Sequence, residues 1–141
     1  MIREYKPEDQ QQTLDVWYNA SVIAHHFLDE AFFEQERKNL SEGSFSNVET
    51  WVYEQDGKIV GFIAMIENEV GGLFVEPDFQ GRGIGRQLMD HVRQSREYLE
   101  LEVFKENAIG RRFYDRYGFK LVKEQTNKET GQPALWLKLK T

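Results

Sequence analysis

The chain has 141 residues, 40% of them hydrophobic and 13% aromatic, which is enough for one domain with a hydrophobic core and too few for two. Its net charge of -6 gives no support to a nucleic-acid partner and favours a cationic one, such as an amine. The absence of cysteine excludes disulfides, thiolate metal sites and cysteine nucleophiles.

The N-terminal residues contain no apolar signal core, and no run approaches the roughly 18 apolar residues that a membrane span needs. We therefore expect a cytoplasmic protein without a membrane partner, formed by a single domain over residues 1–141. We expect it to be a monomer or a homodimer.

In chain order, a short strand at residues 2–5 is followed by two predicted helices. Apolar residues recur at helical intervals over residues 14–25, and a second helix is expected over residues 29–40, whose first residue, an Asp, is a favourable N-cap. His25 and His26 lie between the helices. Neighbouring side chains point apart on a helix and no third ligand is evident, so packing or a place in a substrate pocket is favoured over metal binding.

A β-hairpin is predicted from residues 50–54 and 58–67, because an Asp-Gly turn at residues 56–57 separates two β-rich runs. The second run is almost continuously apolar, as expected for a strand covered on both faces. Another strand follows over residues 69–75, where two glycines at residues 71–72 permit a β-bulge.

Three glycines, Gly81, Gly83 and Gly85, lie between this strand and an apolar pattern of helical period that begins at Ile84. Without side chains, the backbone N–H groups of such a loop can face outward and, with the helix dipole, bind an anion, typically a phosphate. The alternative is a glycine-rich turn used only for tight packing. A P-loop is excluded because Arg86 follows Gly85, and the glycine spacing and mid-chain position exclude a dinucleotide fingerprint.

The last third of the chain begins with an alternating strand pattern at residues 98–104 and ends with a predicted hairpin formed by residues 120–124 and 134–139. Between them, Asn107 suits a helix N-cap and Gly118 a left-handed C-cap. The apolar stripe of this helix consists of Ile109, Phe113 and Tyr117.

Two of these segments resemble motifs of the Gcn5-related N-acetyltransferases (GNAT). The glycine loop fits the signature Gln/Arg-x-x-Gly-x-Gly as Gln80-x-x-Gly83-x-Gly85, and residues 107–119 fit a later motif, in which Asn opens a helix, a Phe-Tyr pair lies inside it and Gly-Phe closes it. The resemblance implies an α/β fold with a mixed, mostly antiparallel sheet of about six to seven strands, about four flanking helices, and two splayed strands that form the acetyl-CoA cleft.

The same resemblance implies that acetyl-CoA is a co-substrate and that no metal is needed. The implied binding residues are Phe74, Val75, Gln80, Gly81, Arg82, Gly83, Ile84, Gly85, Arg86, Asn107 and Phe113. For Arg82 and Arg86, the alternative to phosphate contact is an ordinary solvated position on the surface.

Acetyl transfer to an amine requires loss of the amine proton and stabilisation of the leaving thiolate. Tyr114 matches the family's tyrosine that protonates the coenzyme A sulfur; the alternative is a packed aromatic side chain. Glu102 and Glu69 match positions at which two branches of the family carry a glutamate base. We prefer Glu102, and either residue has the alternative of an ordinary solvated carboxylate. The candidate substrate residues are Trp17, His26 and Phe27. They lie in or beside the segment that borders the acceptor pocket in the family.

The implied activity is transfer of an acetyl group from acetyl-CoA to a primary amine, a protein lysine or an N-terminal amine, by direct attack. Two alternatives stay open. In the first, the protein is an acetyltransferase whose acceptor is a small-molecule amine. In the second, it is a non-catalytic sensor that binds acyl-CoA. The presence of Tyr114 and of both glutamates argues against the sensor.

Overall fold

The computed structural model describes all 141 residues and contains one seven-stranded sheet and four α-helices. The strands are β1 (Ile2–Glu4), β2 (Glu49–Gln55), β3 (Lys58–Ile66), β4 (Glu69–Val75), β5 (Tyr98–Phe104), β6 (Lys120–Thr126) and β7 (Pro133–Lys140). The helices are α1 (Gln10–Ala24), α2 (Glu30–Leu40), α3 (Ile84–Arg93) and α4 (Ala108–Tyr117). None of the helices is long and apolar enough to cross a membrane.

The strand order in the sheet is β1-β2-β3-β4-β5-β7-β6. Every neighbouring pair is antiparallel except β4 and β5, which are parallel. The predicted mixed, mostly antiparallel sheet is therefore confirmed.

The hairpin between β2 and β3 has the turn that its sequence predicts. Asp56 and Gly57 have φ angles of 53° and 78°, both in the left-handed region that a two-residue hairpin turn requires. Strand β3 is buried along most of its length, as its continuous apolar sequence indicates.

Two clusters of buried side chains fill the space between the sheet and its helices. The larger cluster includes Leu88 of α3 and Tyr117 of α4, and the smaller one includes Trp17 of α1 and Phe33 of α2. Along β5, alternate residues enter the larger cluster, while Glu100, Glu102 and Phe104 lie on the opposite face of the strand. The sheet is thus covered on both faces.

A gap opens in the middle of the sheet. Ala64 pairs with Gly72 and Met65 with Val70, so Gly71 forms the predicted bulge in β4. On its other side, β4 pairs with β5 only through Glu69 and Glu100. Beyond that pair the two strands diverge, and the backbone groups of the remainder of β4 have no strand partner on this side.

Candidate active site

A cavity of about 510 Å³ lies at the open end of the gap, between the end of β4, the glycine loop, α3 and α4. It is lined by all of the predicted cofactor-binding residues except Arg82, and by Tyr114. Residues on elements distant in sequence are brought together here because the splayed strands leave room that the helices do not fill.

The glycine loop presents backbone donors to this cavity. Gly81 and Gly83 have φ angles of 79° and 82°, which glycine adopts without strain, and Gly83 is the N-cap of α3. The N–H groups of residues 83–86 donate no hydrogen bond within the protein. Four free donors at a helix N-terminus fit the phosphates of coenzyme A.

Gly85 also has a packing role, which the sequence did not indicate. It lies inside the first turn of α3, and a Cβ atom there would approach the Phe113 ring to 3.3 Å. Its missing side chain therefore allows α3 and α4 to approach each other, whereas the backbone conformation of the loop depends on Gly81 and Gly83.

The polar residues around the loop differ in position. The Gln80 side-chain amide donates to the Val75 carbonyl at 3.0 Å and so ties the loop to the end of β4. The Arg82 guanidinium lies over the Phe79 ring, at 4.8 Å, and does not line the cavity. The Arg86 guanidinium does line it and lies 5.4 Å from the centre of the Tyr117 ring.

Tyr114 lies on the cavity wall formed by α4. Its ring packs edge-on against Phe113 and Phe119, and its hydroxyl makes no hydrogen bond within the protein. Burial raises the pKa of the Tyr114 hydroxyl to about 12, so the proton is retained at neutral pH. The hydroxyl is thus a free donor facing the cavity.

Asn107 connects the cavity to the segment between α1 and α2. Its Oδ1 accepts a hydrogen bond from Gly110 N at 2.9 Å, which caps α4, and its Nδ2 lies 3.4 Å from His25 Nε2. His25 packs edge-on against Phe74 and Phe104. Burial lowers the pKa of His25 to about 4, so the ring is neutral at pH 7. Because the Asn107 amide donates, His25 Nε2 accepts and Nδ1 carries the proton.

Glu69 and Glu102 lie outside the cavity, where β4 and β5 meet. Both Glu102 carboxylate oxygens accept side-chain amide hydrogen bonds, from Gln125 at 2.6 Å and from Asn127 at 2.7 Å. Glu69 forms no such bond. Burial, and then the charges of Glu100 and Glu102, raise the pKa of Glu69. We call Glu69, Glu100 and Glu102 the carboxylate cluster.

The candidate substrate residues fall into two groups. His26 is exposed and Phe27 packs on Phe104, which shares a face of β5 with Glu102. Trp17 is buried in the smaller core, 6.4 Å from the Phe33 ring centre. Its place in the helical stripe makes it a packing residue, whereas Phe27 lies beside the face of β5 that carries Glu102.

Several residues of the site were not anticipated from the sequence. Arg112 and Arg116 line the cavity, and their spacing of four residues on a predicted helix was the available signal. Ala20 and Ala24, also four apart, form the wall from α1. His25 and Asn107 are 82 positions apart in the sequence, and no local sequence pattern predicts their contact.

Comparison with known proteins agrees with this geometry. The acetyltransferase (GNAT) domain family matches residues 46–121. The peptidyl-lysine N-acetyltransferase YiaC of Escherichia coli is 31% identical over 138 residues, which span 97% of this chain and 94% of YiaC. The E. coli peptidyl-lysine N-acetyltransferase YjaB is 27% identical over 139 residues, 98% of this chain and 94% of YjaB.

Solved structures show the same fold. The solution structure of apo YjaB from E. coli superimposes with a TM-score of 0.87 at 25% identity, covering 98% of this chain and 95% of that one. The PaiA N-acetyltransferase of Thermoplasma acidophilum, solved in complex with coenzyme A, gives a TM-score of 0.79 at 20% identity, covering 100% and 98%. The chain belongs to the Gcn5-related N-acetyltransferase family and is an acyltransferase that uses acetyl-CoA.

Proposed function

We propose that the protein acetylates lysine side chains of proteins, by direct attack of the lysine amine on acetyl-CoA. The observation that carries the proposal is the separation of charge across the gap between β4 and β5. The cavity is lined by arginines and no acidic residue, whereas the carboxylate cluster lies at the closed end of the gap. A polyanionic coenzyme and a cationic amine are each attracted to their own side.

Further acidic residues extend the negative side. Glu36 of α2 lies near Glu129 of the loop between β6 and β7; burial, and then the charge of Glu129, raise the pKa of Glu36. Together with the carboxylate cluster they favour a cationic acceptor. Both relatives described above are named peptidyl-lysine N-acetyltransferases, which supports a protein lysine over a small amine.

The binding of acetyl-CoA is assigned to this chain's own donors. The free N–H groups of residues 83–86 bind the diphosphate, and the unpaired backbone edge of β4 up to Val75 receives the pantetheine arm. When bound, acetyl-CoA supplies the thioester that the amine attacks. Phe74 and Val75 form the apolar wall beside this path.

We assign the base to Glu69 in preference to Glu102, the reverse of the preference from sequence. The two amide hydrogen bonds occupy both Glu102 oxygens, so an acceptor amine would have to displace one of them to reach the carboxylate. Glu69 has free oxygens, and its raised pKa makes it a stronger base than an ordinary solvated glutamate. A lysine ammonium, with a pKa of about 10.4 in water, gives its proton to Glu69.

Tyr114 is the proposed acid. The amine nitrogen forms a bond to the acetyl carbonyl carbon, the carbon–sulfur bond breaks, and the Tyr114 hydroxyl gives its proton to the departing thiolate. The second proton of the attacking nitrogen passes to water as the amide forms. Solvent then restores the tyrosine proton and takes up the proton held by Glu69. Because the pKa of Tyr114 is about 12, the hydroxyl keeps its proton at neutral pH, above the pKa of Glu69.

A thiol-release assay with matched acceptors tests the proposal. The panel contains a lysine peptide, the same peptide with its lysines dimethylated and a free N-terminus, a polyamine and an aminoglycoside. We expect the highest kcat/KM with the lysine peptide. A higher value with a small amine would assign the protein to small-molecule acetylation, and coenzyme A binding without turnover on any amine would indicate a sensor.

A further inference from the structure

Three arginines of the cavity have no acidic partner. Arg86, Arg112 and Arg116 line it, and none of them forms a salt bridge or donates a hydrogen bond within the protein. The chain as a whole carries a net charge of -6. Three unpaired cations in one cavity of an acidic protein mark an anion-binding surface.

Two of these arginines belong to a stripe on α4. Ile109, Arg112 and Arg116 are three and four residues apart, so they share one face of the helix, and all three are exposed. Ile109 is 43% exposed although its side chain is large and apolar, whereas Asn107 and Tyr117, deeper in the cavity, are buried. We call Ile109, Arg112 and Arg116 the α4 rim.

The glycine loop already provides for the diphosphate. Its four free N–H groups and Arg86 all belong to the start of α3, whereas the α4 rim belongs to a different helix of the cavity wall. Coenzyme A has one more phosphate, on the 3′ position of the ribose, next to the flat adenine ring and far from the thioester. Arg112 and Arg116 are about 6 Å apart along the helix axis, and their guanidinium groups can bind such a dianion together.

We propose that Arg112 and Arg116 bind the 3′-phosphate of coenzyme A and make the protein selective for coenzyme A over dephospho-coenzyme A. In this arrangement Ile109 provides the apolar surface on which the adenosine rests. The exposure of Ile109 and the lack of acidic partners for both arginines have one common explanation, since a bound adenosine 3′-phosphate covers all three side chains.

Calorimetry with the two ligands tests the proposal without an acceptor or turnover. We expect wild type to bind coenzyme A about tenfold more tightly than dephospho-coenzyme A, and Arg112→Gln/Arg116→Gln to remove most of this difference by weakening coenzyme A alone. Arg86→Gln should weaken both ligands by a similar factor, because the two share the diphosphate.

Arg111→Gln is the matched control, because it removes the same charge from α4 at a residue that donates to the Lys105 carbonyl and does not line the cavity. It should leave both affinities unchanged. The proposal is overturned if wild type does not distinguish the ligands, if the double variant weakens both equally or neither, or if Arg111→Gln reproduces its effect. Thermal unfolding of each variant confirms that the comparison is made on folded protein.

Discussion

Gly85 and Phe113 meet at the junction of α3 and α4, where a Cβ atom on Gly85 would lie 3.3 Å from the phenyl ring. The contact lies directly beside the free N–H groups at the start of α3. A substitution at Gly85 therefore adds bulk against Phe113 and brings its side chain close to the proposed phosphate position.

Comparison of Gly85→Glu with Gly85→Gln separates these two effects. The side chains have nearly the same size, so both variants disturb the packing on Phe113 equally. Only Glu brings a negative charge to the phosphates, and we expect it to bind coenzyme A at least about tenfold more weakly than Gln does. Equal affinities by calorimetry would mean that the loop binds no anion.

Tyr114→Phe removes one hydroxyl and retains the ring that packs against Phe113 and Phe119. If the hydroxyl protonates the thiolate, kcat should fall by about 10²- to 10⁴-fold with little change in coenzyme A affinity. Tyr53→Phe, on β2 and outside the cavity, is the control. A Tyr114→Phe enzyme within about threefold of wild type, under conditions where chemistry limits the rate, would leave Tyr114 a packing residue.

The pH dependence of kcat/KM distinguishes the two glutamates. Glu69 must be ionised to accept a proton, so activity should be lost as the pH falls through its raised pKa. Glu69→Gln should remove most of the activity and this limb of the profile. Glu102→Gln removes a neighbouring negative charge, which lowers the pKa of Glu69 and shifts the limb to lower pH. If Glu102→Gln abolishes the limb instead, Glu102 is the base.

The carboxylate cluster also predicts a dependence on salt. Attraction of a cationic acceptor is screened over about 10 Å at roughly 0.1 M ionic strength, so KM for a lysine peptide should rise with added salt. The reference is the same salt series with an acceptor whose amine is uncharged at the assay pH. A KM for the lysine peptide that stays constant from low to high salt would contradict an electrostatic contribution to acceptor binding.

His25 predicts a contribution to stability that depends on pH. Its folded pKa of about 4 lies below the ordinary value of 6.5, so the unfolded chain binds this proton more readily. The contribution is fully present above pH 6.5 and is lost as the pH falls toward 4, by roughly 3 kcal/mol at most. Urea unfolding at several pH values should show a smaller decrease for His25→Gln. Parallel curves for the two proteins would mean that His25 titrates normally.

Local signals in the sequence were sufficient for most of the fold. Asn107 and Gly118 mark the ends of α4, and they could be identified because capping depends only on nearby backbone atoms. The turn at residues 56–57 could be identified because it depends on two φ angles. The start of α1 at Gln10 was missed by four residues, since its first turn is polar and carries no apolar period. The glutamines at residues 10–12 are favoured in a helix only by their intrinsic propensity.

The chemistry of the site was less accessible from the sequence. The preference between Glu69 and Glu102 turns on hydrogen bonds from Gln125 and Asn127, which reach Glu102 from another strand and its following loop. The burial of Trp17 depends on how α1 meets α2. Such contacts arise from tertiary packing, for which a single sequence offers no periodic pattern.

The single register pair between Glu69 and Glu100 divides the sheet into two parts. One part contains β1 to β4, the other contains β5 to β7, and the two parts are joined only at the start of β4. Neither Glu69 nor Glu100 lines the cavity. We therefore expect a substitution that changes this pairing to change how far β4 and β5 diverge, and with it the space for acetyl-CoA, although every residue of the cavity wall is retained.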